Sequence, residues 1–129
     1  MPAADTAQQP QLDTLKSRAD FQRLTRHGHK KAMRGFVLQV APKPANAAQT
    51  CPHARIGYTA SKKVGNAVAR NRAKRRLRGL VHEVLRPVAK PSLDYVLVGR
   101  HTTLTRPWPK LKSDLKRALA QLDAEMDKS

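Results

Sequence analysis

A dense basic stretch at residues 61–78, SKKVGNAVARNRAKRRLR, constrains the fold of this chain more than any other feature. It contains eight lysines and arginines and no acidic residue. Repulsion among so many like charges disfavours a compact fold unless a polyanion neutralises them, and nucleic acid is the usual polyanion. Solvated helix faces commonly pair Lys or Arg with Glu, but the first acid here is Glu83. The stretch therefore predicts a nucleic-acid-binding surface.

The same stretch has the periodicity of a folded helix. Apolar residues recur at spacings of three and four, which places them on one side of an α-helix: Ala69, Ala73, Leu77, Leu80 and Val84. Asn66 is a suitable N-cap, and Pro87 ends the helix at residue 86. The candidate side chains for binding nucleic acid occupy the preceding loop and the rest of the helix surface: Lys62, Lys63, Asn66, Arg70, Asn71, Arg72, Lys74, Arg75, Arg76 and Arg78.

Length and charge limit the classes of protein to consider. A chain of 129 residues with a formal net charge of +17 is most simply one domain with a polyanionic partner. The single cysteine, Cys51, excludes an intramolecular disulfide and fits a reducing compartment. No apolar run approaches the roughly 20 residues that span a bilayer, and the N-terminus has no secretory signal pattern. We expect a cytoplasmic protein that binds RNA or DNA rather than a membrane.

The order of the predicted elements indicates a small α/β fold. Residues 1–14 read as a disordered tail, and residues 15–125 as one RNA-binding α/β domain. Ser17 and Asp20 have the spacing of a helix N-terminal capping box, and Gly28 is a suitable stop for that helix. Strands are predicted over residues 31–40, 54–61 and 94–100, with a loop over residues 41–53. A last helix begins near Pro107, and its apolar positions pack it on the sheet: Trp108, Leu111, Leu115, Leu119, Leu122 and Met126.

The sequence argues against a catalytic site formed by the protein alone. Its nine acidic residues are scattered, so no carboxylate cluster for metal-assisted hydrolysis is evident. One cysteine and five dispersed histidines do not supply the ligand spacing of a zinc site. No phosphate-binding loop, dinucleotide motif or nucleophile elbow is present. We therefore predict no catalytic residue and no metal ligand in the protein.

Residues 61–75 resemble the signature of the protein component of bacterial ribonuclease P. The resemblance rests on SKKVGNAV, on the Arg-Asn-Arg triplet at residues 70–72 and on the Lys-Arg pair that follows at 74–75. Three other segments also resemble the family. Its first helix is matched by residues 20–22 and 27–28, the strand after that helix by residues 36–38, and its last strand by residues 94–100. The resemblance covers roughly residues 15–122.

The resemblance implies a fold, a function and a set of partners. The fold is an α+β sandwich with a mixed four-stranded sheet and about three helices in the order αβββαβα. The strand–helix–strand crossover around the basic helix is left-handed, whereas general handedness rules favour a right-handed one. The function is removal of the 5′ leader from precursor tRNA, with a catalytic RNA subunit as the partner and no protein partner evident. Mg²⁺ is held by that RNA and the substrate.

The resemblance also implies a leader-binding cleft between the first helix and one face of the sheet. Phe21 and Phe36 match cleft positions, and Arg100 follows the last strand where the family has bases. Thr25 and Gln39 replace aromatic residues that many members carry, and His101 replaces a lysine. Arg70 lies at the edge of the apolar stripe, so it is as well placed to face this cleft as to face the catalytic RNA.

Two other classes of protein fit the composition. A ribosomal or architectural RNA-binding protein with no processing role would have the same charge and size. A stand-alone nuclease would need the carboxylates that this sequence does not bring together.

Overall fold

Five strands form one mixed sheet with helices on both of its faces in the computed structural model, which describes residues 12–127. The strands are β1 (Leu12–Thr14), β2 (His29–Ala32), β3 (Phe36–Pro42), β4 (Ala54–Ala60) and β5 (Leu93–Gly99). The α-helices are α1 (Arg18–His27), α2 (Ala45–Thr50), α3 (Ala67–Leu80) and α4 (Trp108–Asp127). The predicted α+β class and mixed sheet are confirmed, but the prediction of four strands is wrong by one.

The strand order in the sheet is β1-β4-β5-β3-β2. β4 is parallel to β1 and β5, whereas β3 is antiparallel to β5 and β2. The parallel pairing of β4 and β5 around α3 confirms the predicted strand–helix–strand unit. Its left-handed crossover stays a prediction from the resemblance.

The segment predicted as one strand over residues 31–40 is instead a hairpin, β2 and β3. The Met33 amide donates to the Phe36 carbonyl at 2.8 Å and closes the turn. Gly35 lies in this turn, where an added Cβ would come within 2.2 Å of Leu111 Cδ2. The turn therefore packs directly against α4, and a glycine is needed for that close approach.

Two short elements lie in segments that were predicted to be irregular. β1 extends the sheet by pairing with β4, so the predicted disordered tail is wrong at Leu12–Thr14. The rest of that tail, residues 1–11, lies outside the described residues. The predicted loop over residues 41–53 contains α2, whose N-cap is Pro44.

The two faces of the sheet carry separate apolar clusters. Residues of β3, β4 and β5 that alternate toward one face form the main core with α3 and α4, and we call this the core face. The opposite face is covered by α1 and has a small buried cluster, and we call it the α1 face. Its members are Leu15, Leu24, Ala41 and Val96, with Phe21 and Val98 packed against them.

The predicted helix boundaries and stripes are largely confirmed. Ser17 caps α1, since its hydroxyl oxygen accepts a hydrogen bond from the Ala19 amide at 3.2 Å. α3 ends at Leu80 and continues as a π-helical turn, Val81–Leu85, just before Pro87. Both predicted apolar stripes face the core, and the following positions are buried: Ala73, Leu77, Leu80, Val84, Leu111, Leu115, Leu119 and Leu122.

Candidate nucleic-acid interface

The loop before α3 contains the residues that define the start of that helix. Asn66 is the N-cap, and its side-chain oxygen accepts from the Ala69 amide at 2.9 Å. Gly65 has φ 142°, a conformation that disfavours other residues, and an added Cβ would lie 2.9 Å from Ala69 Cβ. Ser61 caps a short 3₁₀ turn, Lys62–Val64, by accepting from the Lys63 amide at 3.3 Å. Lys62 and Lys63 are thus exposed beside the positive end of α3.

The exposed side of α3 is cationic, as predicted. Together with the loop it forms what we call the basic face: Lys62, Lys63, Asn66, Asn71, Arg72, Arg75 and Arg78, all exposed. Arg70 and Lys74 are half-buried at its margin. Because no acid occurs between residues 61 and 82, this positive potential is not offset within the stretch.

Arg78 is held in place by an aromatic neighbour on the sheet. Its guanidinium carbon lies 5.3 Å from the centre of the Tyr58 ring, within cation–π range. Burial raises the pKa of Tyr58 to about 12, despite the lowering effect of the Arg78 and Arg86 charges. Burial also raises the pKa of Tyr95.

We expect the stability contribution of Tyr58 to disappear in alkali. An unfolded tyrosine ionises near pH 10, whereas folded Tyr58 keeps its proton to about pH 12. The stabilisation is therefore complete below about pH 10 and is lost as the pH rises toward about 12. A shift of two pKa units corresponds to about 2.7 kcal/mol at full burial, and the partial exposure of the ring reduces this to about 2 kcal/mol. Urea denaturation at a series of pH values should therefore show an alkaline loss that is smaller by up to about 2 kcal/mol for Tyr58→Phe than for the natural chain. Parallel pH curves for the two proteins would contradict this.

Arg76 is engaged within the protein rather than free on the basic face, and its role as an RNA ligand stays a prediction. Its guanidinium donates to the Leu104 carbonyl at 2.9 Å and to the Arg106 carbonyl at 2.8 Å. It also lies 5.7 Å from the centre of the Trp108 ring. Arg76 therefore ties α3 to the start of α4.

Replacing Arg76 with alanine is expected to lower the free energy of unfolding by about 2 kcal/mol. The change removes two charge-assisted hydrogen bonds and leaves two carbonyl oxygens without that donor. The matched variant is Arg75→Ala, one residue away and exposed, which should change the stability by less than about 0.5 kcal/mol. Urea denaturation monitored by tryptophan fluorescence measures both; equal losses would show that Arg76 is not a structural tie.

A cleft of about 650 Å³ lies on the α1 face, beside the basic face. Phe21 forms one wall and packs on Gly57, where an added Cβ would come within 2.6 Å of its ring. Thr25 and Gln39 line the cleft, as the resemblance implies, but they bring no aromatic ring. The lining also includes residues that the sequence analysis did not select: Lys16, Arg18, Tyr58, Thr59, Ala60 and Val98. Lys74 lines it too and so joins the cleft to the basic face.

Phe36 is not a cleft residue. It is fully buried in the main core on the core face, and Phe21 lies on the opposite face of the sheet. Alternation along β3 places its neighbour Val37 on the α1 face, paired with Val98 of β5. The strand was predicted here, but the pattern did not show which of its two faces the larger core covers.

Arg100 lies at the end of β5, outside the Phe21 cleft. It lines a neighbouring groove with Ser61, Lys63 and His101. Val98 lines both the groove and the cleft, so the two are continuous. The predicted cleft residues Phe21 and Arg100 therefore belong to one extended surface, although not to one pocket.

A buried ion-pair network fixes α1 on the sheet. Asp94 on β5 is fully buried and accepts from its cross-strand partner Arg55 at 2.8 and 2.7 Å. Arg23 of α1 reaches the same carboxylate and donates to the Pro42 carbonyl at 2.9 Å. Asp20 lies 3.4 Å from both guanidiniums. The bond to Asp94 and its charge raise the pKa of Arg55. The wall of the cleft is thus positioned by charge pairing as well as by apolar contact.

Within residues 12–127, no three His, Cys, Asp or Glu side chains lie together as a metal site. No helix in that range is both long and apolar enough to cross a bilayer.

Comparison with known proteins relates the chain to one family. The profile of the family described as Ribonuclease P matches residues 10–123. The ribonuclease P protein component of Paramagnetospirillum magneticum is 48% identical over 113 residues, covering 88% of this chain and 84% of the relative. That of Ruegeria pomeroyi is 41% identical over 124 residues, covering 95% of this chain and 96% of the relative.

Solved structures agree with the sequence comparison. The Staphylococcus aureus RNase P protein superposes with a TM-score of 0.65 at 29% identity, covering 83% of this chain and 92% of that one. The Thermotoga maritima RNase P protein has a TM-score of 0.64 at 21% identity, covering 85% and 94%, and supports the fold alone. With a profile match over most of its length and relatives above 40% identity, this chain belongs to the ribonuclease P protein family.

Proposed function

We propose that this chain is the accessory subunit of a ribonuclease P ribonucleoprotein that removes the 5′ leader from precursor tRNA in the cytoplasm. The observation that carries the proposal is the continuity of two surfaces. The basic face has the charge to dock on a catalytic RNA, and Lys74 and Val98 connect it to a cleft beside the sheet.

The two surfaces divide the work of binding. Exposed Arg72, Arg75 and Arg78 neutralise phosphates where helices of the catalytic RNA approach one another, and arginine offers bidentate contacts to each phosphate. The cleft takes the single-stranded leader, with Phe21 as the stacking surface and Lys16, Arg18 and Lys74 as phosphate contacts. Mature tRNA has no leader, so this contact favours the precursor.

The chemistry in this proposal belongs to the RNA subunit, with Mg²⁺ held by that RNA and the substrate. Three carboxylates that are buried or partly buried, Asp20, Asp94 and Asp114, do not fit a protein-held Mg²⁺ site. Asp20 and Asp94 accept from Arg23 and Arg55, and Asp114 accepts from Arg106 and Arg117. A cation there would have to displace guanidinium groups.

Reconstitution with a bacterial ribonuclease P RNA tests the proposal. At Mg²⁺ concentrations too low for the RNA alone, adding the protein should restore leader removal and make precursor bind more tightly than mature tRNA. Protein without RNA, freed of copurifying RNA, serves as the control and should cleave nothing. Binding to the RNA without any stimulation would favour an architectural RNA-binding protein, and cleavage by the protein alone would favour a nuclease.

A further inference from the structure

A second cavity, of about 630 Å³, lies at the far end of the Arg100 groove. We call it the Arg34 pocket, and its main lining residues are Met33, Arg34, Arg100, Arg106 and Pro107. It is nearly as large as the Phe21 cleft. Its three arginines come from three separate places in the chain: the β2–β3 turn, the end of β5 and the segment before α4.

The backbone around Arg34 is fixed by the 3₁₀ turn His101–Leu104 and the residue before it. Three consecutive carbonyls of the β2–β3 turn each accept a side-chain hydrogen bond. Arg100 donates to Met33 at 2.8 Å, Thr102 donates to Arg34, and Thr103 donates to Gly35 at 2.5 Å. The Arg34 side chain is exposed and projects from a turn that is held at every residue. Because the backbone of this turn is already ordered, binding of a ligand by Arg34 costs little backbone entropy.

The arginines that line the Arg34 pocket carry more charge than the acidic residues paired with them. No acidic residue is among its lining residues in the described part of the chain. Arg106 is paired through Nε with the buried Asp114 at 2.6 Å, but Asp114 also accepts from Arg117 at 3.0 Å. One carboxylate is thus shared by two guanidiniums, and Arg34 and Arg100 add further charge. A phosphate group is the ligand that suits several arginines lining one pocket.

The pocket is continuous with the surfaces already described. Arg100 and His101 line both the pocket and the groove that contains Ser61 and Lys63. Val98 in turn lines both that groove and the Phe21 cleft. One cationic track therefore leads from the cleft, along the ends of β4 and β5, to Arg34.

We propose that the Arg34 pocket binds backbone phosphates of single-stranded RNA, specifically the 5′ part of a long leader that extends beyond the Phe21 cleft. The inference rests on the proposed function. Within it, the 5′ part is the candidate because the 3′ part of the leader is joined to the tRNA body at the cleavage site. Only the 5′ part is free to continue along the track.

The test measures the affinity of assembled holoenzymes for precursors with leaders of about 4 to about 16 nucleotides, the range of single-strand site sizes. It compares the natural protein, Arg34→Gln and the charge-matched control Lys116→Gln, an exposed residue of α4. Losing one phosphate contact to a single strand should reduce the salt slope by about 0.7 and the affinity about fivefold in about 0.1 M salt. We expect that loss for Arg34→Gln with long leaders only, and no loss for Lys116→Gln. Arg34→Glu should enlarge it.

Three results would overturn the inference. They are an unchanged affinity for long leaders, an equal loss for short and long leaders, or a loss confined to assembly with the RNA subunit. Each of these results counts against the inference only when the natural holoenzyme still prefers precursor to mature tRNA. If it shows no such preference, the proposed function itself is wrong, so the two failures are distinguishable.

Discussion

Replacing Arg72 and Arg75 together with glutamine is expected to weaken binding to the catalytic RNA about sixtyfold in about 0.1 M salt. Both side chains are exposed on the basic face and have no acid nearby in sequence. Each phosphate neutralised on duplex RNA contributes a factor of about eight at this salt concentration through counterion release, taking the duplex-DNA slope of about 0.9 as the guide. The slope of log affinity against log salt should therefore fall by about two. Filter binding over a salt series measures both quantities.

The control for this experiment is Lys110→Gln combined with Lys116→Gln. These residues are exposed on α4 and remove the same charge from a different helix. If the two double variants lose the same affinity, net charge rather than the basic face determines binding. Glutamine is compatible with a helix at all four positions, so thermal unfolding should be little changed.

Asp94→Ala is expected to be the most destabilising of the single substitutions considered. It removes a carboxylate with no solvent exposure and leaves Arg23 and Arg55 with only the more distant Asp20 carboxylate, 3.4 Å away. Breaking a buried ion pair in this way costs about 3–5 kcal/mol. We expect about 3 kcal/mol, because the two arginine side chains are 26% and 15% exposed and are partly hydrated already. Urea denaturation measures the change in the free energy of unfolding.

Asp123→Ala is the matched control. Asp123 pairs with Lys90 at 3.3 Å, but both side chains are 47% exposed. Such a pair contributes less than about 1 kcal/mol, because water solvates both charges. If Asp123→Ala proved as costly as Asp94→Ala, burial would not be the source of the stability.

The periodic elements of the fold could be predicted from the sequence, and the elements stabilised by distant partners could not. The apolar stripes of α3 and α4 are long and regular, so they identify both helices. β1 has three residues and no strong pattern, and it exists because β4 offers it a free edge. The β2–β3 turn depends on Gly35 fitting against Leu111, a contact between residues far apart in sequence.

The site was predictable where charge alone defines it, and not where a side chain's partner decides its role. The exposed arginines of α3 follow from the helical pattern. Arg76 is also an arginine of α3, but its guanidinium donates to carbonyls that lie about thirty residues later in the chain. Phe36 was assigned to the cleft because it matches a cleft position of the family that the chain resembles, and the strand pattern did not say which face the main core covers. Asp94 begins a predicted strand, but nothing local in the sequence indicates that Arg55 lies opposite it.

The unequal anchoring of the two sides of the sheet has a consequence for how the protein moves. α3 and α4 share the main core, whereas α1 is attached through a small apolar cluster and the Arg23–Asp94 contact. Elements with few buried apolar contacts open at a fraction of the global free energy, so the amides of α1 should exchange with solvent before those of α3. Under the proposed function, the cleft wall would then yield to leaders of different sequence while α3, the proposed RNA-docking helix, stays rigid. A single protein would thereby accept many precursors without loosening its hold on the catalyst.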